Sequence, residues 1–92
     1  MATEEQTSEI EGRVREIMAQ SLGRTIEDLT PEATFDKALG ADSLMILELM
    51  RDLEEEFNIE IPDEDQERVM NVGQAIEYIV NKVKEKESEQ EG

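Results

Sequence analysis

The chain contains no cysteine and no histidine. Without cysteine, neither disulfides nor thiolate metal ligands brace the fold. Without histidine there is no Ser-His or Cys-His nucleophilic site, no imidazole metal ligand and no access to the commonest general base. These absences argue against a self-contained catalyst, and no catalytic residue and no metal site is assigned. Long apolar runs are missing too. Nothing in the chain approaches the length of a membrane span, and the start, Met1-Ala2-Thr3-Glu4-Glu5, lacks the basic and apolar regions of a signal peptide. The expected location is the cytoplasm. Positive charge is scarce: 9 basic residues stand against 25 acidic ones, for a formal charge of −16. Such a surface repels nucleic acid phosphates and anionic lipid, so neither is an expected partner. It attracts proteins with basic patches and speeds their encounter, although acidity also serves simply to keep a small helical protein soluble.

What is present fits one small domain. A chain of 92 residues supports a single core, and a domain of this size buries only about 60% of the surface its unfolded chain exposes. Ile10, Val14, Ile17, Met18 and Leu22 recur at spacings of four and three, which predicts a helix over 8–22. Thr7 or Ser8 is the expected cap at its start, and Gly23 the left-handed residue at its end. A long connection follows from Arg24 to Asp42, broken by Thr30-Pro31, with Ile26, Leu29 and Phe35 as candidate anchors to the core. Loops of this length in compact domains are usually functional or disordered.

A second helix is expected over 43–57, with Asp42 as N-cap and Asn58 closing it. Ile59-Glu60-Ile61-Pro62-Asp63 reads as an extended link, followed by a brief helical turn over about 64–69. The last helix starts behind Asn71, with Val72, Ala75, Ile76, Ile79, Val80 and Val83 as its apolar stripe. The predicted fold class is all-α: a small four-helix bundle of three main helices and one short one, with a long loop between the first and second. Residues 1–7 and the acidic 85–92 are expected to be flexible tails flanking a domain over 8–84.

The second helix is the informative one. On a helical wheel, Ile46, Leu49, Met50, Leu53 and Phe57 share one side and form an ordinary core stripe. Glu48, Arg51, Asp52 and Glu55 lie opposite; Leu44 projects among them, and Met45 and Leu47 sit on the borders. An apolar side chain ringed by carboxylates at a helix start suggests a docking surface, though isolated exposed leucines are common. Ser43, just inside the helix start, points its hydroxyl outward where free amides and the helix dipole favour a phosphate. Asp42 opposes this by adding negative charge. By spacing alone, Ser43 is equally an ordinary first-turn residue behind an Asp cap.

Gly40-Ala41-Asp42-Ser43-Leu44 matches G-x-D-S-L, the attachment motif of acyl carrier proteins, in which the serine receives 4′-phosphopantetheine from coenzyme A. The resemblance continues through Glu48-Leu49, Leu53-Glu54-Glu55-Glu56-Phe57, Glu60-Ile61-Pro62-Asp63 and Ala75-Ile76-Glu77-Tyr78-Ile79, and spans roughly 8–80. It implies that Ser43 carries the arm. It implies further that Asp42 meets the phosphopantetheinyl transferase, and that Glu48, Glu54 and Glu55 meet basic patches on acyl synthases, reductases, dehydratases and acyltransferases. Leu44, Met45, Leu47 and Arg51 complete the implied docking face. Ile46, Leu49, Met50, Leu53, Phe57, Ile61, Ala75 and Ile79 are the candidate acyl pocket, in addition to their role in the core.

The implied protein is a monomeric carrier of growing acyl chains in fatty acid, or related lipid or polyketide, biosynthesis. Alternatives are a carrier dedicated to a polyketide, lipid-modification or aminoacyl pathway, and an acidic helical adaptor that never bears the arm. Met45, Lys37-Ala38 and Arg51 depart from the family pattern, which commonly has acidic residues at the first two places and an apolar one at the third.

Overall fold

A computed structural model describes residues 4–91 of the chain, and the side chains of residues 7–86. Among the described residues there are four α-helices and no β-strand: α1 (Glu4–Leu22), α2 (Ser43–Phe57), α3 (Asp63–Arg68) and α4 (Val72–Glu91). A single 3-10 turn, Ile26–Asp28, interrupts the long connection after α1. This is the expected bundle of three long helices and one short one.

The helix ends follow from local chemistry. Gly23 takes φ +65° after α1, and the Arg24 amide donates back to the Ala19 carbonyl at 3.0 Å. That is a Schellman closure, which satisfies a carbonyl the helix leaves free. Asn58 does the same for α2 at φ 51°, with the Ile59 amide on the Glu54 carbonyl at 3.1 Å. Asn71 caps α4 by accepting the Gln74 amide at 2.8 Å. The start of α1 differs from expectation. Thr7 and Ser8 lie inside the helix, which begins at Glu4, because the glutamates ahead of them are themselves good helix formers. Likewise α4 continues to Glu91, past its last apolar residue, on a run rich in Lys, Glu and Gln. Of the two expected tails, residues 1–3 and 92 lie outside the described residues.

The core gathers Val14, Met18, Leu49, Leu53, Val72, Ala75 and Ile79 from the three long helices, all at most 2% exposed. The long connection is part of it. Leu29, Ala33, Phe35, Leu39 and Ala41 are all buried. Ile26 is not: it stands 51% exposed, because it opens a 3-10 turn whose three residues all face outward. Backbone bonds stitch the connection to the α3–α4 junction, with the Phe35 amide on the Met70 carbonyl and the Val72 amide on the Ala33 carbonyl, both at 3.1 Å. The Gly73 amide donates to the Pro31 carbonyl at 3.0 Å. A Cβ at Gly73 would meet that oxygen at 3.1 Å and the Pro31 side chain at 3.3 Å, so an added methyl group would require the loop to give by a few tenths of an ångström.

α3 is the exception to this packing. None of its six residues is buried. Polar bonds hold it instead: Gln66 donates to the Ile61 carbonyl at 2.9 Å, and the Tyr78 hydroxyl of α4 donates to Asp65.

Candidate functional site

Ser43 is the first residue of α2, and its position is determined from both directions. Behind it, Asp42 caps the helix by accepting the Met45 amide on Oδ1 at 2.9 Å. Ahead of that cap, the segment 34–41 is closed on itself: the Leu39 amide reaches the Thr34 carbonyl at 3.1 Å, and the Ala41 amide the Phe35 carbonyl at 2.8 Å. Gly40 makes the last bend at φ +65°, a conformation that costs other residues roughly 1–2 kcal/mol. The Arg24 guanidinium donates to the Leu39 carbonyl at 3.1 Å and secures the same bend from α1's end. A serine so held presents an exposed hydroxyl at a helix start, where the free amides and the dipole suit a phosphate group.

Beside Ser43 lies a groove of about 910 Å³, framed by the segment 34–41, the first turns of α2, α3 and the residues before α4. Phe35, Ala41, Ile46, Leu47, Val69 and Met70 supply its apolar surface. Asp36, Asp42, Asp63 and Glu67 contribute carboxylates, and Lys37 the one cation among its lining residues. Two other clefts are less than half as large: one beside α4 holds about 350 Å³ and one between α1 and α2 about 400 Å³.

The implied docking residues divide. Leu44 and Leu47 are 62% and 54% exposed, and Glu48, Arg51 and Glu55 are exposed with them. Met45 is half-buried and packs against the core. Glu54 is half-buried too, and its carboxylate accepts the Ile61 amide at 3.0 Å, fixing the link between α2 and α3. Of the candidate acyl pocket, Ile46 alone lines the groove. Leu49, Met50, Leu53, Ile61, Ala75 and Ile79 are buried in the core, and Phe57 packs half-buried against it. Met70 is absent from the sequence-derived set although it is 66% exposed and lines the groove opposite Leu47. An apolar residue directly before the Asn71 cap was the available signal.

Elsewhere the electrostatics are local. Arg13 of α1 bridges to Glu56 of α2 at 2.7 Å and, through their hydrogen bond, holds the Glu56 carboxyl below its ordinary range. Tyr78 is pushed well above its ordinary value, by burial first and then by its bond to Asp65.

Ser43 is thus an exposed residue at a helix start, lining a groove whose surface is partly apolar. The model of the phosphopantetheine attachment site family matches residues 12–79. A solved structure of the acyl carrier protein from Enterococcus faecalis, described for its high thermal stability, superposes with a TM-score of 0.70. It is 33% identical in sequence, and the match covers 83% of this chain and 96% of that one.

Proposed function

The chain belongs to the acyl carrier proteins, the family that bears phosphopantetheine, and on that premise we propose that Ser43 is the residue to which the arm is joined. The observation that supports this is its setting: an exposed hydroxyl on the first turn of α2, at the edge of the 910 Å³ groove. Of the other serines, Ser21 donates its hydroxyl to Asp52 at 3.2 Å and Ser8 lies within α1. Incubation with coenzyme A and a promiscuous phosphopantetheinyl transferase should add one arm by intact mass, and Ser43→Ala should abolish the addition. Modification persisting in that variant overturns the assignment.

The role is carriage, with the reactions performed by partner enzymes. The arm supplies a thiol whose thioester activates the acyl group toward transfer and α-carbon chemistry. The protein's share is position and encounter. The cap at Asp42 and the bend at Gly40 hold the attachment point at a fixed place on a rigid helix. Leu44 and Leu47, ringed by Glu48 and Glu55, offer a small apolar contact inside a field that draws in basic surfaces. That combination favours fast arrival and fast release. The cargo we assign is a growing acyl chain of fatty acid or related biosynthesis, carried by a cytoplasmic monomer. The partners we assign are the transferase and then synthases, reductases, dehydratases and acyltransferases with basic patches.

One observation favours a narrower set of partners. Arg51 is exposed on the same helix and puts positive charge where a basic partner expects none. Like charges brought together in an interface can cost several kcal/mol when buried, about 1 or less at a wet rim. Arg51→Met should raise the rate of elongation by a general bacterial synthase set. No gain would place Arg51 outside the contact and leave general synthesis as the reading.

A further inference from the structure

The groove beside Ser43 has a charge pattern that its own protein does not balance. Asp36, Asp42, Asp63 and Glu67 line it, on a chain of formal charge −16. An arm joined through a phosphodiester brings one more negative charge to this place. Asp42 cannot turn away from it, because its carboxylate is held on the Met45 amide. The amides of the first turn offset part of that repulsion. Arg24 is committed to the Leu39 carbonyl, and the one cation among the groove's lining residues is Lys37.

Lys37 sits in the turn between Thr34 and Leu39 and lines the same groove as Asp42, Ser43 and the first turns of α2. Its side chain is exposed, and among the described residues it takes part in neither of the ion pairs, which both belong to Arg13. Two of the other lysines are engaged: Lys86 donates to the Asn58 carbonyl at 2.8 Å, and the Lys82 ammonium lies 5.6 Å from the centre of the Tyr78 ring. A lysine ammonium on a four-carbon stem is a mobile point charge with three donors, suited to following a phosphate with some freedom of position. We propose that Lys37 is the anchor for the phosphate of the arm: its ammonium pairs with the phosphodiester on Ser43 and draws the arm's root toward the groove. The inference rests on Ser43 being the attachment point. Lys37 is then a positioning residue, setting where the arm leaves the protein and leaving its attachment unchanged.

The test separates the two readings. Intact mass after transferase treatment first establishes that Ser43 carries the arm in both the native chain and Lys37→Gln; failure there is failure of the attachment reading. The thiol of the loaded protein is then alkylated so that it cannot oxidise. The side-chain resonances of Lys37 and Lys84 are compared by NMR at neutral pH, with and without the arm. A phosphodiester paired with the ammonium should move the Lys37 resonances when the arm is present, with those of Lys84 unchanged. The phosphorus resonance should also relax more slowly in Lys37→Gln, as the root of the arm gains freedom, and return toward native in Lys37→Arg. If the Lys37 resonances are alike with and without the arm and the phosphorus relaxation ignores its substitution, the ammonium does not hold the phosphate, and the proposal falls.

Discussion

Helix α2 has two flanks, and they are built on different physics. Toward α1 its core is closed beneath a shallow polar cleft: Leu49 and Leu53 are fully buried with Val14 and Met18, and the rim is tied by Arg13 to Glu56 and by Ser21 to Asp52. Toward α3 it is open: a groove of about 910 Å³ separates the two, and α3 contributes no buried residue. Apolar area removed from water, worth about 25 cal/mol per Å², holds the first flank. Hydrogen bonds and two short links hold the second. A carrier needs both, since the helix start must stay in place while cargo and partners come and go beside it. Segments held by few buried contacts are those that open at low free energy.

The sharpest way to break this contrast is a matched pair of truncations. Leu53→Ala empties a fully buried site and should cost about 2–5 kcal/mol in urea unfolding. Leu47→Ala, on the groove side, should stay within about 0.5 kcal/mol. Equal losses would mean the open flank carries as much of the fold as the closed one. Gly73→Ala comes next. Its methyl group would press on Pro31, and overpacking of this kind costs typically about 1–3 kcal/mol. Amide exchange at Phe35 and Val72, whose bonds tie the loop to α4, should accelerate with it. An unchanged unfolding midpoint would show that the loop adjusts freely.

Tyr78→Phe tests how α3 is held. Removing the bond to Asp65 should cost about 1 kcal/mol or less at neutral pH, the pair being partly exposed. Its larger signature is in pH. The folded value of Tyr78 is raised above the ordinary 10.0, so its contribution is complete below pH 10 and is lost as pH climbs beyond it. The native chain should therefore show an alkaline fall in stability that Tyr78→Phe lacks, measured by urea titration from pH 8 to 11. Identical alkaline limbs would mean the hydroxyl contributes nothing to α3.

Surface electrostatics gives the smallest effects. On a chain of charge −16, moving from very low to moderate ionic strength should raise the melting temperature by a few degrees. Arg13 and Glu56 work the other way. Glu56 is depressed by Arg13, so their stabilisation is present above the ordinary carboxylate range and is lost as pH falls through the depressed value. Both groups are solvent-exposed, so Arg13→Gln should change the melting point less than salt does. A melting point that falls with salt would reverse this order and make the ion pair the stronger term.

Much of the fold was legible in short-range pattern because it is decided at short range. Asp42, Asn58, Gly23 and Asn71 end their helices through bonds to residues three to five places away. The apolar periodicity of α1, α2 and α4 marks core stripes by geometry internal to each helix. The motif around Ser43 was legible for the same reason, since the cap and the hydroxyl are neighbours in the chain.

Tertiary structure decided what depends on residues far apart. Met45 packs half-buried against the core and Glu54 accepts the Ile61 amide of the α2–α3 link, contacts that the pattern of α2 alone does not specify. Leu39 and Ala41 became core, and Ile26 did not, because the loop's course is set by bonds to the α3–α4 junction more than thirty residues away. Met70 and Lys37 come to Ser43's groove from separate stretches of the chain, and no periodicity relates three segments that come together only when the chain closes. The sequence by itself determined a four-helix carrier with a serine at a capped helix start. Which side chains surround that serine was decided by long-range closure, whose free energy is shared among many weak contacts and written in no single stretch of chain.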